Sequence, residues 1–294
     1  MDSLKLFPHI WTFGAYLTAM SGGLLLARFY AYLGLYLSLL ACLAWLTHRR
    51  QTVASPRSRV HHLLFFPCAL NITFPAMADA IPAIRPFRYD DFLLALDQTL
   101  FAFNPNVWAE RLVSPLLTEV MSLCYVLFMP LLYVSLIRYF FRQQHLLDTF
   151  YRGIFTVYGL GFLGYLTVPA AGPYLAHPEL FITPLTGGPI TRLTQAMVQV
   201  GSNRVDVFPS LHCAVSAYIL CFAYRHHRRE FWWLLLPVFG LWCSTIYLRY
   251  HYLIDVLCGF ALACLALTLC RRQPTLPASL EYNHHGHRPP LQFP

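Results

Sequence analysis

Residues 244–270 read STIYLRYHYLIDVLCGFALACLALTLC. From Tyr252 to Cys270 the only charged side chain is Asp255. An apolar run of about 18–20 residues crosses a bilayer as a helix. A carboxylate inside such a run is costly and marks a functional site by default. The stretch therefore predicts a membrane span and assigns Asp255 a task within it.

Further apolar runs lie at about 8–27, 29–47, 63–84, 116–137, 153–170, 209–224 and 231–249. The chain of 294 residues is 57% hydrophobic and 12% charged, about half the charged fraction of ordinary soluble domains. These features predict an all-α integral membrane protein built as one helical domain, and run length argues against a soluble helical bundle. Seven or eight spans fit: Ser21-Gly22-Gly23 is a candidate break that would leave one long helix from Leu24 to Leu46. Eight spans, with both termini on one side, fit the charge pattern best.

The net charge of +8 does not point to nucleic acid, because no basic surface interleaved with aromatics is visible. Twelve arginines fall in short clusters between the runs: Arg49, Arg50, Arg57 and Arg59; Arg138, Arg142 and Arg152; Arg225, Arg228 and Arg229; Arg271 and Arg272. Under the positive-inside rule that side is cytoplasmic. His212 and His251 then both fall on the other side, periplasmic or lumenal. Loop 85–115, with Asp90, Asp91, Asp97, Phe101, Phe103 and Trp108, suits an interfacial helix on that outer face. Loop 171–208 is long and rich in Pro, Gly and Thr, a pattern often functional. All nine cysteines lie in apolar runs and read as small buried residues, with neither a disulfide framework nor a zinc site. The start of the chain, with Lys5 ahead of the first run, reads as an uncleaved membrane segment. The tail 271–294 is polar. Its His284, His285 and His287 read as part of a disordered segment, with metal binding as the alternative.

Three pieces carry chemistry. In Phe208-Pro209-Ser210-Leu211-His212, proline and serine suit a helix start, whose free N–H groups and dipole attract anions. His251 and Asp255 are four apart and share a helix face; a carboxylate on one ring nitrogen fixes the tautomer and prepares the other nitrogen as nucleophile or base. The third piece is Val168-Pro169-Ala170-Ala171-Gly172-Pro173-Tyr174, which supplies backbone shape and the Tyr174 hydroxyl. Each alone has a bland structural reading; on one face they point to a site.

This set resembles the type-2 phosphatidic acid phosphatase superfamily, whose motifs are KxxxxxxRP, PSGH and SRxxxxxHxxxD on a six-helix core. Pro209-Ser210-Leu211-His212 matches the second motif, with Leu211 for Gly. Ser244-Thr245, His251 and Asp255 match the third, with Thr245 for Arg. The resemblance covers roughly residues 63–270 and predicts the six-helix core there, preceded by one or two extra N-terminal transmembrane helices in residues 1–62. The first motif has lost its cations. Ala78 stands where lysine would precede Arg85-Pro86; if Pro173 is the surviving proline, Tyr165 and Gly172 replace the two cations. The FPSLH form and the His-Tyr-x-x-Asp ending resemble the branch containing inositol phosphorylceramide synthases.

The resemblance implies His251 as nucleophile, Asp255 as its orienting partner and His212 as general acid and base. It implies Ser210, Arg249, Ser244, Tyr174 and Arg204 as substrate-binding candidates, with Arg192 also in the outer loop. No cofactor or metal is required. The partners expected are a membrane lipid phosphate and an alcohol or water acceptor, with no nucleic acid. Headgroup transfer is the first reading, a lipid phosphate phosphatase the alternative and a proton-relaying transporter the second alternative. The expected location is a bacterial inner membrane.

Overall fold

The computed structural model describes residues 7–53 and 55–271, and every regular element among them is helical. Three helices come first: α1 (Pro8–Leu26), α2 (Leu33–Thr52) and α3 (Pro56–Ile84). Two short ones follow, α4 (Asp90–Phe101) and α5 (Pro105–Ala109). Next are α6 (Pro115–Val126), α7 (Phe128–Phe141) and α8 (Gln144–Thr167). The outer connection carries α9 (Pro173–Ala176) and α10 (Pro189–Gly201). The last three are α11 (Leu211–His226), α12 (Arg228–Tyr247) and α13 (Leu253–Arg271). Among the described residues three helical stretches are long and apolar enough to cross a membrane: Arg57–Ile84, Pro115–Phe141 (α6 running into α7) and Leu253–Cys270. The histidines of the tail and Lys5 lie outside the described residues.

Aromatic packing binds the bundle. α1 runs along α8, with Phe13, Tyr16, Phe66, Phe155 and Phe162 all fully buried. Their rings meet edge-on or stacked: Tyr16 to Phe162 at 5.2 Å, Phe66 to Phe155 at 5.3 Å. Such pairs add about 0.5–1.5 kcal/mol each beyond the area they bury. α11 packs against α8, α12 and α13, which sets its first turn beside the first turn of α13.

Two expectations are corrected. Ser21-Gly22-Gly23 does not break the first helix; α1 continues through it. The Ser21 hydroxyl donates to the Leu17 carbonyl at 2.8 Å. Glycine costs about 1 kcal/mol in a helix, but at Gly23 it leaves room for Ile84 from α3, which a Cβ would meet at 2.9 Å. The chain turns later, at Ala27–Tyr32. Loop 171–208 likewise contains a three-turn helix, α10. Its first N–H groups, from Ile190 and Thr191, donate to the Glu119 carboxylate of α6 at 2.8 and 2.9 Å. The cap comes from 70 residues away, so the local sequence does not announce it.

The turns that bear the third piece and His251 lean on one another. Gly172 has φ +88, a region favouring glycine, and a Cβ there would collide with the Tyr250 carbonyl. Asp90 accepts the N–H groups of Ala171 and Gly172 at 3.0 and 2.9 Å. Gly172→Ala is expected to lower stability by about 1–3 kcal/mol; thermal unfolding of the purified protein in detergent checks this, and an unchanged midpoint contradicts it.

Candidate active site

Ser210 is the N-cap of α11. Its hydroxyl oxygen accepts the Cys213 N–H at 3.4 Å, and its own N–H donates to the Asp255 carbonyl at 3.0 Å. Gly259 of α13 allows this contact, since a Cβ there would meet the Ser210 carbonyl at 2.5 Å. The Phe208–Pro209 peptide bond is cis.

α12 ends at Tyr247 and α13 begins at Leu253, leaving a tight turn. The Thr245 carbonyl accepts the N–H groups of Tyr250 and His251 at 3.0 and 3.1 Å. The Asn106 amide donates to the carbonyls of Ile246 and His251, each at 2.9 Å. Asp97 caps α13 through the N–H groups of Leu253 and Ile254, each at 2.8 Å. Carboxylates are favoured at such an end, where orphan donors and the helix dipole coincide.

The imidazole of His251 is thereby fixed. It is 2% exposed and Asp255 is 0% exposed. The Nδ1–H donates to Asp255 Oδ2 at 3.1 Å, which leaves the Nε2 lone pair free. Ser210 Oγ and His212 Nδ1 both face that nitrogen at 3.3 Å. The His212 ring is held by Phe128 and Tyr125, at ring distances of 4.5 and 4.8 Å. Four predicted residues, Ser210, His212, His251 and Asp255, thus meet at one imidazole, with Ser210 and His212 at its free Nε2.

This atom faces a cavity of about 130 Å³. Its walls include Tyr125, Phe128, Tyr174, Tyr250 and Met197, and its polar lining includes His212, His251, Ser202, Thr194 and Asp206. Among the described residues that line it there is no lysine or arginine. Tyr174 sits there as expected, edge-on to Tyr250 at 5.1 Å.

The other substrate-binding candidates lie elsewhere. Arg249 has φ +66 and is 7% exposed. Its guanidinium donates to the Thr183 carbonyl at 2.7 Å, pairs with Glu110 at 3.5 Å and stacks 4.2 Å over Phe181. The turn sends the side chain into the outer loop, away from the cavity. Ser244 is buried and donates to the Leu241 carbonyl at 2.7 Å. Arg204 is exposed, with φ +59. Arg192 is also exposed, and neither it nor Arg204 lines the cavity. Thr245, at the position of the family's arginine, returns its hydroxyl to the Trp242 carbonyl at 2.7 Å.

Sequence reasoning missed Asp206, Asn106 and Tyr125. Asp206 stands four residues before Ser210, and that spacing next to a candidate anion site was the available signal. Its carboxylate accepts from Ser202 Oγ at 3.2 Å.

A family model described as the PAP2 superfamily matches residues 91–269, more than half of the chain, and the protein belongs to that superfamily. Membership supports a lipid phosphatase or phosphotransferase type of function. Neither a curated protein nor a solved structure matches the chain.

Burial raises the Asp206 carboxyl above its ordinary range. A raised carboxyl makes its favourable contribution below the unfolded pKa and loses it as pH climbs through the folded one. Asp206→Asn is therefore expected to stabilise the protein at neutral pH and not at about pH 3, where both states hold the proton. Unfolding midpoints of the two proteins across that range check the sign.

Proposed function

We propose that the protein is a membrane lipid phosphotransferase acting through a phosphohistidine on His251. The observation that carries this reading is the convergence of Ser210 and His212 on the free Nε2 of His251, with Asp255 on the opposite nitrogen. In the first step Nε2 attacks phosphorus, the bond to the leaving lipid oxygen breaks, and His212 supplies that oxygen with a proton. In the second step an acceptor hydroxyl attacks the phosphohistidine, the P–N bond breaks, and His212 takes the proton back. Asp255 holds the ring and balances its positive charge while phosphorus is attached. The first-turn N–H groups of α11 and the Ser210 hydroxyl hold phosphoryl oxygens.

The charge of the cavity chooses the donor. A phosphodiester carries one negative charge at phosphorus and a monoester close to two. Two unit charges about 6 Å apart, at an effective dielectric of about 20, repel by about 3 kcal/mol. With Asp206 in the lining and no lysine or arginine among the described lining residues to offset it, the monoanion is the better fit. This favours transfer of a phosphorylated headgroup from a diester lipid, in line with the resemblance to inositol phosphorylceramide synthases. Hydrolysis of a lipid monoester is the second reading, supported by the superfamily match.

In this reading residues 63–270 form the catalytic domain with its six-helix core, α1 and α2 are the added N-terminal helices, and the polar tail starts at residue 271. The arginine clusters support a site on the periplasmic or lumenal face of the membrane, and a bacterial inner membrane is the proposed location.

Purified protein offered a diester lipid whose headgroup phosphorus is labelled should hold label on the chain, stable to alkali as a phosphohistidine is. His251→Ala should carry no label. His212→Ala should lose about two to four orders of magnitude in turnover, and Asp255→Asn about as much as a lost tautomer costs, up to about 10⁴-fold. Faster phosphate release from a monoester in water than headgroup transfer to an alcohol would replace the transferase by the phosphatase.

A further inference from the structure

A second cluster of polar side chains lies at the end of the bundle opposite the cavity. It gathers the start of α1, the end of α2 and the starts of α3 and α8. Arg50 Nη1 donates to His62 Nδ1 at 2.9 Å. Asp148 pairs with Arg50 at 3.2 Å and with Arg59 at 2.8 Å. The His9 ring lies 5.8 Å from that of His62 and 6.1 Å from that of Phe7. Over the Phe7 ring, at 3.7 Å, sits the guanidinium of Arg152. Two guanidinium groups thus share one carboxylate, and Arg152 adds a third positive charge nearby.

The hydrogen bonding is incomplete. Buried nitrogens without a partner are both ring nitrogens of His9, Nε2 of His62, and Nε of Arg59 and of Arg152. His9 and His62 are 0% exposed. Arginine Nε is a donor only. His62 accepts at Nδ1 from Arg50, so its neutral ring carries the hydrogen at Nε2, another donor. One nitrogen of a neutral His9 is a donor too. The four side chains therefore present four N–H groups that lack an acceptor, in a setting with excess positive charge. Buried polar groups are ordinarily satisfied, and an orphan calls for a bound water or ion. A group of donors with surplus positive charge calls for an anion with several oxygens.

We infer that His9, Arg59, His62 and Arg152 form a second anion site that takes a phosphate group, either free phosphate or the headgroup of an anionic lipid in the leaflet at that end. Basic pockets between membrane helices bind lipid headgroups in this way. The site shares no side chain with the His251 cavity and stands whether or not the proposed reaction is correct.

Thermal unfolding of the full chain in detergent tests it. The titrants are inorganic phosphate, a short-chain phosphatidylglycerol and, as zwitterionic control, a short-chain phosphatidylcholine. Phosphatidylglycerol should raise the midpoint while phosphatidylcholine does not. A matching rise with inorganic phosphate would assign a free-anion site; a rise with phosphatidylglycerol alone would assign a headgroup site. Arg152→Gln should weaken the response about tenfold, the scale of one charge-assisted hydrogen bond. His9→Phe keeps an aromatic ring against Phe66 and removes both orphan nitrogens. It should raise the unliganded midpoint and weaken the response about tenfold, opposite effects that a merely structural histidine would not produce. Equal responses to all three titrants, or wild-type affinity in both variants, would overturn the inference.

Discussion

The bond between His251 Nδ1 and Asp255 Oδ2 is the constraint around which the rest is arranged. A carboxylate and an imidazole at 0% and 2% exposure are costly to bury unless paired and hydrogen-bonded. The pair sits at the first turn of α13, so its geometry is only as good as the placement of that turn. Three polar groups from α4, α5 and α11 hold it: Asp97 caps the helix, Asn106 grips two carbonyls of the preceding turn, and the Ser210 N–H binds the Asp255 carbonyl. Asp255 Oδ1 has no hydrogen-bond partner. The carboxylate's side-chain partner is the ring of His251, which keeps one tautomer.

The acids Asp90, Asp97 and Glu119 act as scaffold. Asp90 ties the Ala171-Gly172 turn and accepts the Tyr252 hydroxyl at 3.1 Å. Asp97 caps α13 and Glu119 caps α10. Each replaces a local cap by one from a distant segment, so each cap is also a tertiary contact. α10 is thereby fixed on the wall of the cavity, which it lines with Thr194, Met197, Val198 and Gly201.

This explains which parts were legible in the sequence. His212, His251 and Asp255 could be found because their spacing is local and because a carboxylate in an apolar run is conspicuous. Ser210 could be found as a helix cap by residue type alone. Arg249 points into the loop instead of the cavity because of a single backbone conformation, φ +66, which residue spacing does not reveal. α10 was hidden because its cap is Glu119, and Asn106 because its partners are backbone carbonyls some 140 residues on. Asp206 is hard to read from the sequence because an anion site calls for cations, whereas this cavity wall holds an acid.

The placement of charge separates the two ends of the molecule. Arg249 is turned into the loop carrying Phe181 and Thr183, and Thr245 bonds back to its own helix. The cavity is left with neutral hydroxyls, two imidazoles and one carboxyl. Phosphoryl transfer rests on positioning and on stabilising charge. In the proposed mechanism a site with no guanidinium group among its described lining residues does this with helix N–H donors and with the charge that His251 itself would acquire when phosphorus is attached. That positive charge exists only while the intermediate does, and Asp255 and Asp206 both favour it. On that proposal a monoanionic donor is the better match, held by the apolar walls and tyrosine rings of the cavity. The arginines at the opposite end, two paired with Asp148 and Arg152 close by, show that this chain gathers cations readily, so their absence from the described lining of the cavity is a property of the site rather than of the composition.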